Sequence, residues 1–438
     1  MILLGYCVYS LKKEKYYFYF KIISLYLFEM ITSQAVIVVC ILLLLAYIID
    51  ISAKHTKIPS VILLLALGFG VGRLTQWLYI PVADLEPILP VLGTIGLILI
   101  VLEGALDLEL NNSKFPAIRL ALVNALLPIL LLAAIITTMF MFFWQLPLRV
   151  ALVNAIPFCV ISSAIAIPSV RGLSVFQREF VIFETSLSDI IGVLFFNFIL
   201  YNEVIDGHAF GHFGLQMLLI IVISFLAVLC LSFLMAKLSH HVTYTPILIL
   251  IILIYYVSKI YHLPGLIFIL VFGLFLGNLD EIKKFRWVEK FNPAKLDAEV
   301  HKFKSITLEA TFIVRVLFFM VFGFLLKPEE IINLQTLPFA AGIVGLILLI
   351  RYVSLRISRL PIQPLLFIAP RGLITILLFI SITGKLTSSH VTSAMIVQTV
   401  LLSVIIMMLG LMFYEPVEQN VGTVTNKEAR PNAHEAHE

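Results

Sequence analysis

Runs of about 20 apolar residues recur along almost the whole chain, and such runs restrict it more than any other feature. A helix rises 1.5 Å per residue, so about 20 apolar residues cross roughly 30 Å of hydrocarbon. Cutting the sequence at charges and at Pro/Gly punctuation gives about thirteen such runs. They lie near 34–50, 58–73, 88–106, 116–144, 147–169, 178–201, 213–236, 244–259, 264–279, 305–326, 336–355, 361–383 and 391–413. Alternating apolar and polar strands, the mark of a membrane β-barrel, do not occur. The expected fold is therefore all-α and polytopic, in contact with the lipid bilayer.

Composition agrees. The 438 residues are 61% hydrophobic and 13% charged, whereas a soluble domain is about half apolar and a quarter charged. The net charge of +4 is scattered over loops, so no nucleic-acid surface is expected. Cys7, Cys40, Cys159 and Cys230 are far apart and form no C-x-x-C pair, which leaves packing as their role.

Orientation follows from Lys and Arg. One set of loops holds Lys54, Lys57, Lys114, Arg119, Arg171, Arg178 and Lys237, then a basic cluster from Lys283 to Lys304. It also holds Arg351 (at a helix end or within the membrane), Arg356, Arg359, Lys427 and Arg430. The opposite side carries only Arg73, Arg149, Lys259, Lys327 and Lys385. This bias places the C-terminus in the cytoplasm of a multi-pass protein of the cell (inner) membrane. Residues 1–33 lack a small-residue cleavage site and carry a Lys cluster on the wrong side. We read them as an N-terminal extension, with Met30 as the expected natural start. Residues 280–304 read as a cytoplasmic linker or interfacial helix, and 414–438 as a short polar cytoplasmic tail.

Ionisable side chains inside a bilayer are costly and mark function or pairing. Glu103, Glu184, Asp189, Glu309, Arg315, Arg351 and Arg371 fall within the runs. In Glu184-Thr185-Ser186-Leu187-Ser188-Asp189 the two carboxylates are five residues apart, about 140° round a helix, so they face different surroundings. Thr185 and Asp189 are i, i+4 and share a face. A carboxylate with a hydroxyl one turn away suits a hard cation or a proton. Asp189 has no basic residue near it in its own helix and reads as the transport carboxylate, while Glu184 reads as half of a structural ion pair.

These residues resemble the Glu-Ser-x-x-Asn-Asp signature of the sodium/proton exchanger branch of the monovalent cation:proton antiporters. The resemblance implies that Asp189 carries the cation or proton, that Thr185 supplies a hydroxyl ligand, and that Ser188 stands where the family has Asn. It also implies that Glu184 pairs with an arginine of a later core helix, here Arg351. Pro370-Arg371-Gly372-Leu373 is similar to the family's arginine-glycine motif. Glu309 to Arg315, followed by Phe318-Phe319 and Gly323, resembles a helix of prokaryotic members. Leu102-Glu103-Gly104 resembles another, whose glutamate can face the ion site. The matches span about residues 34–413.

One departure stands out. The fifth span of this branch carries Thr-Asp-Pro, whereas this chain has Ile161-Ser162-Ser163-Ala164, closer to the Ser-Ser-Thr-Ala stretch of the potassium-efflux branch. Ser162 and Ser163 either add hydroxyl ligands beside the free carbonyls of a broken helix or bond within their own helix. Glu103 reads equally as part of ion access or as a structural pair. Arg371, after helix-breaking Pro370, reads as neutralising loose carbonyls. Glu309 and Arg315 are six apart and need other partners, through a dimer contact or Glu103. Gly68, Gly70 and Gly72 read as close helix packing.

The resemblance implies a secondary transporter of two inverted repeats with discontinuous crossing helices, the ion-carrying core being about 116–201 and 336–413 within a 34–413 transmembrane domain. The remaining spans would form a scaffold, and a homodimer is expected. No cofactor is implied, and the only metal is a monovalent cation (Na⁺, Li⁺ or K⁺) exchanged with H⁺ at Asp189. The alternatives are a potassium-efflux carrier or channel, and a non-transporting sensor on a degenerate antiporter fold. No His-Glu-x-x-His or Gly-x-Ser-x-Gly motif points to an enzyme.

Overall fold

The computed structural model describes residues 37–52, 58–80, 82, 84–108, 114–170, 172–203, 207–237, 244–261, 263, 265–278 and 293–414. Within them every regular element is helical. Eight helical segments are long and apolar enough to cross a membrane, and four shorter apolar ones accompany them. The expectations for residues 1–33, for 280–292 and for 415–438 lie outside the described residues. Residues 293–304, expected in a linker, form the first turns of a helix that runs on to Leu325.

One group of helices is α1 (Ile37–Ser52), α2 (Ser60–Trp77), α3 (Ile88–Asp107), α8 (Gly207–Lys237), α9 (Tyr244–Ile260), α10 (Gly265–Gly277) and α11 (Pro293–Leu325). Here α11 lies along α2 and α3, and α10 along α3 and α8. Small residues permit the close approach. A Cβ at Gly72 would lie 2.7 Å from the carbonyl oxygen of Phe324, and one at Gly277 the same distance from that of Leu106. Gly68 abuts Met320 in the same way, whereas Gly70 faces open space. Two of the three alternating glycines therefore serve helix contact.

The second group repeats one pattern: a long helix, a broken segment, then another long helix. The first set is α4 (Phe115–Trp144), α5 (Leu148–Ala155), α6 (Ser163–Ser169) and α7 (Val175–Tyr201). The second is α12 (Leu337–Ile357), α13 (Leu373–Ile380) and α14 (Ser393–Met412). Helix α4 packs on both α7 and α12, joining the sets. Ser174 caps α7 by accepting a hydrogen bond from the Gln177 backbone N–H, which satisfies one of the free donors of its first turn.

Both breaks follow from proline. Pro157 sits in a single 3₁₀ turn after α5, and the chain is extended at Ser162 before α6 begins. In the second set Pro361, Pro364 and Pro370 hold residues 361–372 out of helix until α13 starts. Each proline removes an N–H from the helical ladder. The second interruption is thus longer than expected from an apolar run over 361–383.

Candidate ion-binding site

The two broken segments cross and bond to each other. The Ser162 backbone N–H donates to the Pro370 carbonyl at 2.9 Å. Gly372 makes the approach feasible, because a Cβ there would stand 2.8 Å from Ser162 Oγ. Breaking a helix leaves carbonyls without donors, and in a membrane water cannot supply them. Arg371 does so from the other segment. Its Nε donates to the Phe158 carbonyl at 2.6 Å, and its terminal nitrogens reach Ala369 at 3.0 Å and Cys159 at 3.4 Å. The Arg371 backbone N–H is taken by Ser403 Oγ at 2.9 Å. This side chain is 1% exposed.

Helix α7 passes beside the crossing. Ser188 Oγ accepts from the Ile161 backbone N–H at 3.0 Å, satisfying a donor released by the first break. Asp189, 1% exposed, accepts a hydrogen bond from the Ser163 hydroxyl at one carboxylate oxygen. Its other oxygen, Oδ1, is buried and has no hydrogen-bond partner among the described residues. Neither has the buried hydroxyl of Ser162. Thr185 is buried too, but its hydroxyl donates to the Val181 carbonyl within α7 at 2.8 Å. That bond leaves its oxygen able only to accept.

One turn back, Glu184 meets Arg351 of α12. The guanidinium is bidentate, at 2.9 and 3.0 Å, and its Nε donates to the Leu365 carbonyl at 2.6 Å. Both side chains are buried. A fork-to-fork pair of this kind combines geometric specificity with strong hydrogen bonds. It ties α7 to α12 and to the second interrupted segment.

The remaining candidates lie on the first helix group. Glu103 is half-buried on α3, beside Gly104, where a Cβ would stand 2.8 Å from Ser186 Oγ of α7. Arg315 is buried on α11 and Glu309 is exposed on the same helix. No group of three or more His, Cys, Asp or Glu able to hold a metal occurs among the described residues. Sequence reasoning had no means of naming the Pro370 carbonyl, Ser403 or the carbonyl partners of Arg371. Apart from the Ala369 carbonyl, each is joined to its partner across 32 residues or more, and no local pattern carries such pairs.

A buried carboxylate oxygen without a donor is costly. A proton or a desolvated cation on it would remove that cost. The free oxygen, the Ser162 hydroxyl and the crossing backbone together form an all-oxygen environment, the kind hard monovalent ions prefer.

The transmembrane sodium/hydrogen exchanger family matches residues 40–415. No curated protein sequence matches the chain. Among solved structures, the sodium proton antiporter MjNhaP1 from Methanocaldococcus jannaschii at pH 8 superposes with a TM-score of 0.66 at 21% identity, covering 86% of this chain and 99% of that one. An electron-microscopy structure of the same antiporter gives 0.66 at 22% identity, covering 87% and 99%. At these identities the likeness speaks for the fold. The family match, which extends over nearly the whole chain, goes further: this protein belongs to the transmembrane sodium/hydrogen exchanger family.

Proposed function

We propose that the protein exchanges a monovalent cation for protons across the cell membrane, with Asp189 holding either one. The observation that carries the reading is the buried Asp189 carboxylate, one oxygen bonded to Ser163 and the other without a partner. A single carboxylate cannot hold H⁺ and a cation at once. Competition therefore couples the two fluxes, since only a loaded site can be moved without burying a bare charge.

The crossing supplies the rest of the device. Ser162, with its buried hydroxyl free, and Ser163 would complete the cation's shell, with Thr185 accepting as it faces the same side of α7 as Asp189. Arg371 keeps the broken backbones neutral and Ser188 holds the first break against α7. Glu184 and Arg351 brace the core. The α4–α7 and α12–α14 sets would move as one body against the first helix group, exposing Asp189 to each side in turn. Glu103, half-buried on α3, would line the path. The basic loops would face the cytoplasm, as the Lys/Arg bias directs. Replacement of the fifth-span aspartate by Ile161-Ser162-Ser163-Ala164 leaves one acidic group at the crossing, which favours one-for-one exchange.

The test is uptake of Na⁺, Li⁺ and K⁺ into proteoliposomes of the purified protein, driven by an imposed proton gradient. Uptake that follows the gradient and is competed by acidification supports the reading, and the fastest ion is the substrate. Uptake that ignores the gradient and follows membrane potential alone would instead indicate a channel.

A further inference from the structure

A cavity of about 460 Å³ opens between the two helix groups, walled by α3, α7, α8, α9, α10 and α13. It reaches α7 from Val193 to Asn202. Val193 and Asn197 follow Asp189 at steps of four residues, so they continue the Asp189 face of α7 outward. The cavity floor therefore stands one helical turn beyond the transport carboxylate. Apart from Thr94 and Leu97 of α3, its walls come from the helix ends on the side opposite the basic loops.

A vestibule that gathers cations would be lined by carboxylates, because like-signed walls in a low-dielectric cleft focus the field. Among the described residues this one is lined by neutral polar groups, including Asn197, Gln216 and Tyr255, and by a single ionised side chain, Lys259. Lys259 is exposed, in the last turn of α9. The partial negative charge of a helix C-terminus suits a lysine there, but that local role does not require it to line the cavity.

We propose that Lys259 is a specificity-determining residue that acts as a charge filter at this vestibule, holding down the cation concentration that reaches Asp189 from the outer side. The proposal rests on the antiport reading and adds sidedness to it. A unit charge about 10 Å from a cation at an effective dielectric constant between about 25 and 80 changes local occupancy by about two- to tenfold. The filter therefore alters apparent affinity on one side without altering the maximal rate.

The experiment uses the full chain in right-side-out and everted vesicles at alkaline pH, where protons compete least. Cation-induced pH-gradient change is measured for the wild type and for Lys259→Gln, Lys259→Glu and Lys259→Arg. With the cation added to the outer face, the apparent KM should fall about two- to tenfold in Lys259→Gln and further in Lys259→Glu, and stay at the wild-type value in Lys259→Arg. The differences should shrink in about 0.5 M inert salt, where the Debye length is only a few ångströms. Cation added to the cytoplasmic face should show no change. Active variants whose outer KM is unchanged, or changed equally from both faces, would overturn the filter while leaving antiport intact. A wild type that exchanges no cation for protons would overturn both.

Discussion

Glu184 and Arg351 hold their charges in the bilayer because each satisfies the other, at 2.9 and 3.0 Å. Removing one partner of a buried pair strands the other, at a cost of about 3–5 kcal/mol. Glu184→Gln should therefore lower the thermal unfolding midpoint of the detergent-purified protein substantially. Glu184→Leu combined with Arg351→Leu should cost less than the two single changes added together, because neither charge is then left alone. Additive losses would show that the two side chains are not coupled. That Glu184 needs a partner was legible in the sequence, because an ionised group inside an apolar run is costly; that the partner is Arg351 was implied by the family resemblance alone. Thr185 illustrates the limit. Its spacing from Asp189 gives the shared helix face, yet its proton goes to Val181, a choice made by a rotamer that spacing does not reveal.

The interrupted segments pose the problem on the scale of elements. Their existence was expected from the family resemblance and from Pro370, which deletes a backbone donor. Their extent was not. Residues 361–372 fall within an apolar run that extends over 361–383, and the structure shows helix only from Leu373. Ser188 bonds to the first break, as its hydroxyl takes the Ile161 N–H. Ser188→Ala would leave that donor buried and unpaired, worth about 1–3 kcal/mol. Transport should weaken through a raised cation KM, and Ser188→Thr, which keeps the hydroxyl, should restore it. A wild-type KM in Ser188→Ala would show that the bond does not hold the site. Gly372→Val is the harsher change, because even a Cβ would stand 2.8 Å from Ser162 Oγ. It should abolish the crossing, read as lost transport with a lowered yield of folded protein.

Across the whole molecule, apolar run length made the membrane class and the all-helical fold legible, because the bilayer accepts few spanning structures. The crossing of the two broken segments was not legible, since it joins residues more than 200 apart, as Arg371 and Phe158 are. If one carboxylate serves both ions, pH and cation must trade places. Where the proton dominates, each unit of acidification should raise the apparent KM for the cation about tenfold, with an unchanged maximal rate, because the cation binds only the deprotonated site. A KM independent of pH would point to separate sites. The most direct test is cation-induced dequenching of a pH-gradient dye in everted vesicles, with Na⁺, Li⁺ and K⁺ added in turn to the wild type and to Asp189→Asn. The account predicts dequenching by at least one ion in the wild type and none in Asp189→Asn at equal protein levels. Dequenching that persists undiminished in Asp189→Asn would contradict it.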